Sequence, residues 1–204
     1  RFVLEDIVPA FIRDSRAFEL FARLFWGRHI SDLARFRERA AFLTDEEYEA
    51  LYQNHPRVHE GSDNSKACIA RISKDVIGTS VCDVGCGTGY LLSQVKNARP
   101  VMENLTGVDF VVDDANALKG IDYVAAKIED LPFDDNAFDT VICTHVIEHV
   151  LDYRAAIAEL RRVAAKRLII IVPKEREYRY TFNPHFNFFP YTHSFLRAMI
   201  PVPD

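Results

Sequence analysis

The sequence holds no apolar run long enough to cross a bilayer as a helix, so no membrane partner is expected. It also lacks an excess of positive charge. Its 25 Lys and Arg stand against 30 Asp and Glu, a formal net charge of −5. A broad nucleic-acid-binding face normally rests on a basic surface, so no nucleic-acid partner is expected either. The arginines of the first 40 residues are nearly matched by acids and read as a solvated helical face. Cysteine is scarce: Cys68, Cys82, Cys86 and Cys143. Cys82 and Cys86 have no second pair at ligand spacing, which argues against a zinc site built on them. They read as reduced, mostly buried thiols of a cytoplasmic protein. The opening "RFVLEDIVPAFIRDSRAF" interrupts its apolar residues with acids and lacks the layout of a signal peptide. Glycine is scarce as well, with eight in 204 residues, yet Gly85, Gly87 and Gly89 fall within one five-residue stretch.

What is present is the composition of an ordinary folded domain, 49% hydrophobic and 27% charged. The first 75 residues read as helices. "AFELFARLFW" spaces Phe18, Phe21, Leu24 and Phe25 at a helical period, Thr44 and Glu47 form a capping-box pattern, and Ser65 can cap a helix through "KACIARI". From Thr79 the texture changes to strands alternating with helices: strands over "TSVCDV", "LTGVDF", "IDYVAAKI", "AFDTVICTH" and "RLIIIVP", with helices over "TGYLLSQVKN" and "YRAAIAELRRVAA". In the last helix Ala155, Ile157, Leu160 and Val163 are available for burial, and the fifth strand reads as an interior strand, apolar on both faces. A short helical piece is expected over "DDANALKG". The final 30 residues read as a long aromatic-rich loop and a helix from about Thr192 to Met199. The fold expected is α/β, a doubly wound and mostly parallel sheet, with an N-terminal helical lid over residues 1–64 and the sheet domain over 65–204.

The stretch "DVGCGTGY" opens a helix after the first strand. A dinucleotide fold wants G-x-G-x-x-G or G-x-G-x-x-A, but the third small position here is Tyr90. Asp109 ends the second strand, one strand–helix–strand unit later. The pattern D-x-G-x-G-x-G, followed by "GVDF", "KIEDLPFDDNAFD" and "HVIEHV", resembles the class I S-adenosylmethionine-dependent methyltransferases, in particular the type-11 methyltransferase domain family. The resemblance runs from about Ser65 to Leu196. It implies a Rossmann-like methyltransferase fold, of whose usual seven strands the last two are not evident, and S-adenosyl-L-methionine as cofactor. It places Asp83 on the cofactor's ammonium group, the backbone of Gly85, Cys86, Gly87 and Gly89 around its methionine part, and Asp109 on the ribose hydroxyls. Phe110, Ile128 and Glu129 would border the adenine. The acid that usually meets the adenine amino group is replaced by Lys127, a departure from the family pattern.

After the fourth strand, His145, Glu148 and His149 fall where the resemblance puts the sulfonium and the acceptor. His145 is expected to line the cofactor pocket. His145 and His149 are the first candidates for a general base, with His193 and His185 next, because an imidazole titrates near neutral pH. His145, Glu148 and His149 are ligand types, but no metal is expected. The segment "HFNFFPYTHSFLRAM" resembles the family's acceptor-side loop and helix. With Phe186, Phe188, Phe189 and Tyr191, and Phe182 just before it, it suits a small acceptor of apolar or ring character, or merely packs the loop. Trp26 and Tyr52 are expected in the lid. The function expected is methyl transfer to O, N or C of a small molecule. The alternative is a non-catalytic binding or scaffold module with the same fold.

Overall fold

The computed structural model of the chain describes residues 8–27, 37–44, 46–48, 50, 61–112, 118–177, 179 and 184–202, with the backbone alone at 25, 26 and 41. In chain order the elements that matter here are α1 (Ala10–Arg13), α2 (Arg16–Trp26), α3 (Lys66–Asp75), β1 (Ser80–Val84), α4 (Tyr90–Ala98), β2 (Asn104–Asp109), β3 (Asp122–Ala125), β4 (Phe138–Thr144), α5 (Tyr153–Val163), β5 (Ala164–Ile171) and α6 (Thr192–Ala198). The chain divides into two compact units. One comprises Arg1–Thr44, Glu148–Leu151 and Pro173–Asp204, and the other Asp45–Ile147 and Asp152–Val172.

The larger unit is built on the sheet. All five strands pair in parallel, in the order β3-β2-β1-β4-β5. The chain leaves β1 toward β2 and β3, then returns to the other side of β1 as β4. The strand order therefore reverses at β1, and in such sheets ligands bind beyond the carboxyl ends of the strands at that point. This is a doubly wound, Rossmann-like architecture, with helices flanking a parallel sheet.

Local chemistry explains where the helices begin. Ser65 Oγ accepts a hydrogen bond from Cys68 N (3.2 Å) and caps α3, and Asp152 Oδ1 accepts from Ala155 N (3.1 Å) and caps α5. α3 and α4 bury Ile72, Val76, Leu91, Leu92 and Val95 against Val81 of β1, Leu105 of β2 and Ile142 of β4. The turn through Leu131, Pro132 and Phe133 is held from α5. Arg162 donates to the carbonyls of Leu131 (2.9 Å) and Phe133 (2.6 Å), while Glu159 accepts from Leu131 N (2.9 Å). Phe133 then meets Phe138 edge to face at the start of β4. The "LPF" stretch therefore has a structural role, fixing the turn into β4.

Three details differ from the sequence expectations. α5 ends at Val163 and passes directly into β5, because Ala164 already pairs with Phe138, so the strand starts earlier than "RLIIIVP" suggests. β5 is an edge strand among the described residues and is only partly buried, not interior. Its Ile run would suit an interior strand equally well, so composition alone does not place it. On α5 it is Ala156, rather than Ala155, that is buried with Ile157, Leu160 and Val163. Among the described residues no strand follows β5, and α6 lies where a C-terminal helix was expected.

In the smaller unit α2 is capped by Ser15, whose Oγ accepts from Phe18 N (3.1 Å), and stops at Gly27, which takes φ 77°. The segment after β5 is tied to the N-terminal helices: Arg179 N donates to Asp14 Oδ1 (2.9 Å), and Arg37 Nη2 donates to the Arg179 carbonyl (2.8 Å). Tyr52, Phe182, the Trp26 side chain and most of the expected helical piece at 113–120 lie outside the described residues.

Candidate cofactor site

The larger unit places Asp83 at the end of the central strand, 2% exposed. Its Oδ1 is buried and receives no hydrogen bond from the described residues. Burial, and then the charge of nearby Asp109, push its pKa up to about 7. A buried carboxylate oxygen without a donor costs on the order of 1–3 kcal/mol. A cationic donor arriving from outside would remove that cost.

The loop that follows closes tightly on itself. Gly85 N and Cys86 N both donate to the Val108 carbonyl (2.7 and 3.0 Å), so the loop is hung from β2. Gly87 N donates to Asp109 Oδ2 (2.7 Å). Gly85 has φ 82° and a Cβ there would run into Val146 Cγ2. Gly89 has φ 80° and a Cβ there would run into the Tyr123 hydroxyl. Both positions need glycine for conformation and for room. Cys86 is buried and lies over Gly107, where β2 carries no side chain. Tyr90 opens α4 and is part-exposed.

Asp109 ends β2 half-buried. One oxygen is held by Gly87 N, and Val111 N lies 3.4 Å from the other. A carboxylate has about four lone-pair sites, so it keeps capacity to accept from two vicinal hydroxyls. The Phe110 ring meets Tyr48 edge on (centroids 6.1 Å apart), and the Lys127 ammonium stands 6.0 Å from its centroid. Ile128 is buried, Glu129 half-buried and Lys127 exposed.

At the end of β4, His145 adopts φ 58°, a left-handed conformation that is uncommon for a residue with a side chain. Its N–H donates to the Ile171 carbonyl (2.9 Å), which fixes the turn. Beside it, Thr144 Oγ1 accepts from Asn64 Nδ2 (2.9 Å).

The remaining candidates, His149, His185 and His193, belong to the smaller unit. His149 Nδ1 lies 3.2 Å from the Pro184 carbonyl, and His185 Nδ1 lies 2.5 Å from Glu175 Oε2. The two rings meet edge to face at 4.6 Å. His193 is exposed and stacks on Tyr191 (5.2 Å), outside this pair. Of the aromatic segment, Phe189 is buried against Phe195, and Phe188 carries the Arg37 guanidinium on its ring.

Sequence reasoning missed Asn64, Val146 and Tyr123. Tyr123 donates its hydroxyl proton to the Thr88 carbonyl (2.7 Å) and accepts from Leu118 N (3.0 Å), bracing the glycine loop from β3. The one available signal was a tyrosine within a short strand, since a buried phenol usually has a hydrogen-bond partner.

These features test the implied cofactor. Asp83 suits an ammonium group, Asp109 a ribose diol, and Phe110 an aromatic ring, while the glycines let the backbone come close. The buried Asp83 oxygen without a donor asks for a cationic group and not a pyrophosphate. S-adenosylmethionine, which has no phosphate, fits.

The profile of the methyltransferase domain family matches residues 82–172. The chain is 36% identical over 92 residues to a tRNA U34 carboxymethyltransferase of Campylobacter curvus, covering 41% of this chain and 30% of that protein. It is 29% identical over 135 residues to the demethylmenaquinone methyltransferase of Staphylococcus aureus, covering 58% and 56%. Among solved structures, the trans-methyltransferase CalH in complex with S-adenosylhomocysteine is similar over 50% of this chain and 34% of that one, at 20% identity and a TM-score of 0.42. The chain thus spans less than two thirds of the length of these curated relatives. The matched stretch, residues 82–172, carries the glycine loop and the strands that hold it, and is similar to the methyltransferase domain of that family.

Proposed function

We propose that the chain transfers a methyl group from S-adenosylmethionine to O, N or C of a small-molecule acceptor in the cytoplasm. The observation that carries the reading is the buried Asp83, with an oxygen that lacks a donor, beside a glycine loop braced by Asp109. The cofactor supplies an electrophilic methyl group on a sulfonium. The protein's part is to bind and orient. Asp83 holds the ammonium group, Asp109 the ribose hydroxyls, and the backbone of Gly85, Cys86, Gly87 and Gly89 the methionine part. Phe110 covers one face of the adenine, the Ile128 N–H meets the ring edge, and Glu129 stands beside it. Lys127 replaces the acid that would read the amino group, so that contact is given up. Holding the two centres aligned in a water-poor site supplies most of the rate. His145 stands at the end of β4 with its backbone fixed and is the candidate to take a proton from the acceptor.

Net charge of −5 and the aromatic segment around Phe186 and Phe188 favour a small acceptor. The thiols of Cys68, Cys82, Cys86 and Cys143, none of them in a disulfide, suit a reducing compartment. The similarity to a tRNA-modifying enzyme favours a second reading, a tRNA acceptor. Radiolabelled S-adenosylmethionine incubated with the full chain and separate small-molecule and RNA fractions of an extract decides. Label in the small-molecule fraction supports the proposal, and label in RNA alone replaces it with the second reading. Saturable cofactor binding with no transfer to either fraction would leave a non-catalytic module.

A further inference from the structure

We propose that the smaller unit contains a divalent-metal site formed by Glu148, His149 and His185, with Glu175 as the outer partner of His185, and that Zn²⁺ is its preferred occupant. One ligand atom from each of the three residues lies within 4.8 Å of the other two. Glu148 is 1% exposed and His185 7%, so the group is built into the protein and is not a chance surface encounter.

The hydrogen bonds fix the chemistry. The Pro184 carbonyl can only accept, so His149 Nδ1, at 3.2 Å, carries its proton there and Nε2 keeps the lone pair. Glu175 Oε2 lies 2.5 Å from His185 Nδ1, which places that proton on Nδ1 as well and leaves Nε2 as the basic nitrogen. A carboxylate or a carbonyl on the far nitrogen of each imidazole is what orients metal-ligating histidines and raises their basicity. Both rings thus present Nε2, and they cross edge to face at 4.6 Å.

Glu148 and Glu175 are both buried carboxylates, 1% and 2% exposed. Two imidazoles and one carboxylate are a borderline donor set. It suits Zn²⁺ over Mg²⁺ or Ca²⁺, and three protein ligands leave a fourth position for water or a substrate oxygen. The ligand segments are already knitted together. Phe186 N and Asn187 N both donate to the Glu148 carbonyl (2.7 and 3.0 Å), and Asn187 Nδ2 donates to the Val150 carbonyl (2.6 Å). The site is therefore largely preformed. It departs from the sequence expectation of no metal, because His185 lies 36 residues beyond His149 and only the fold brings them together.

The test is direct and does not depend on methyl transfer. The full chain is stripped with a chelator, then titrated with Zn²⁺ by calorimetry and with Co²⁺ by visible absorption. One equivalent bound, with the intense d–d bands of a four- or five-coordinate Co²⁺, supports the site. His149→Ala and His185→Ala should each remove the bands, and Glu175→Gln should keep the stoichiometry while weakening affinity roughly 10–100-fold. Asp109→Ala, which alters only the cofactor site, should bind Co²⁺ like the parent. Should buried His185→Ala fail to fold, as judged by circular dichroism, the half-buried His149→Ala and the graded Glu175→Gln still decide. No stoichiometric binding, six-coordinate Co²⁺ spectra, or binding that survives His149→Ala overturns the proposal and leaves a hydrogen-bonded cluster only.

Discussion

Asp83 offers the sharpest prediction, because its carboxyl carries two opposite demands. Without ligand it is buried beside Asp109, and its pKa rises from 3.8 to about 7. The unfolded chain ionises this group near pH 4, whereas the folded chain holds the proton until about pH 7. Between these limits the folded state binds more protons, so this group's contribution to stability falls as pH rises, by about 1.4 kcal/mol per unit. Over the roughly 3 units of the shift the loss approaches about 4 kcal/mol, an upper figure for a group that can relax. Asp83→Asn removes the penalty. The ligand-free variant should therefore gain stability relative to the parent as pH goes from 5 to 8, read as a difference in urea midpoint. Cofactor binding reverses the sign. An ammonium group next to Asp83 favours the ionised form, so below pH 7 binding must expel a proton. Affinity for S-adenosylhomocysteine should rise about tenfold per unit toward pH 7 and then level off. Calorimetry at pH 6 in two buffers of different ionisation enthalpy should count about one proton released. In Asp83→Asn that proton should vanish, and affinity at pH 7.5 should drop by roughly 1.5–3 kcal/mol, the worth of a hydrogen bond to a charged group. A parent affinity flat from pH 5.5 to 7.5, or an Asn variant that binds as tightly, refutes the assignment.

Other positions test other links. Asp109→Ala should weaken S-adenosylhomocysteine binding more than tenfold, since it removes both the diol acceptor and the partner of Gly87 N; undiminished binding in calorimetry would sink the ribose role. Gly89→Ala should destabilise the fold by about 1–2 kcal/mol from its φ of 80° alone, and more from the collision with the Tyr123 hydroxyl. Tyr123→Phe, which removes that hydroxyl, should therefore rescue part of the loss in a double-mutant cycle; strict additivity of the two melting shifts would contradict the geometry. His145→Gly relieves a left-handed conformation, so it should keep or raise thermal stability by up to about 1 kcal/mol while lowering methyl transfer; equal activity would remove His145 as the base. Leu160→Ala on α5, fully buried, should cost about 2–5 kcal/mol in urea unfolding with no direct effect on the cofactor loop.

Much of the sheet was legible because its signals are local. The β-branched run of β4, the Ser65 cap, and the loop with glycines at 85, 87 and 89 each act over a few residues. The pairing of Asp83 with Asp109 was legible too, because one strand–helix–strand unit has a typical length. What stayed hidden depends on contacts distant in sequence. Tyr123 braces Thr88 across 35 residues, and Asn64 reaches Thr144 across 80. The Glu175–His185 bond joins two residues of an irregular segment that has no period to read. The place of β5 at the edge was not legible because its isoleucines suit an interior strand as well.

The central claim is that the loop at 83–89 and Asp109 form an S-adenosylmethionine site. A crystal structure of the full chain with S-adenosylhomocysteine tests it most directly. The account predicts the ligand's ammonium within hydrogen-bond distance of Asp83 Oδ1 and both ribose hydroxyls on the Asp109 carboxylate. Ligand density with its ribose away from Asp109, or crystals saturated with ligand that show none beyond β1, would contradict it.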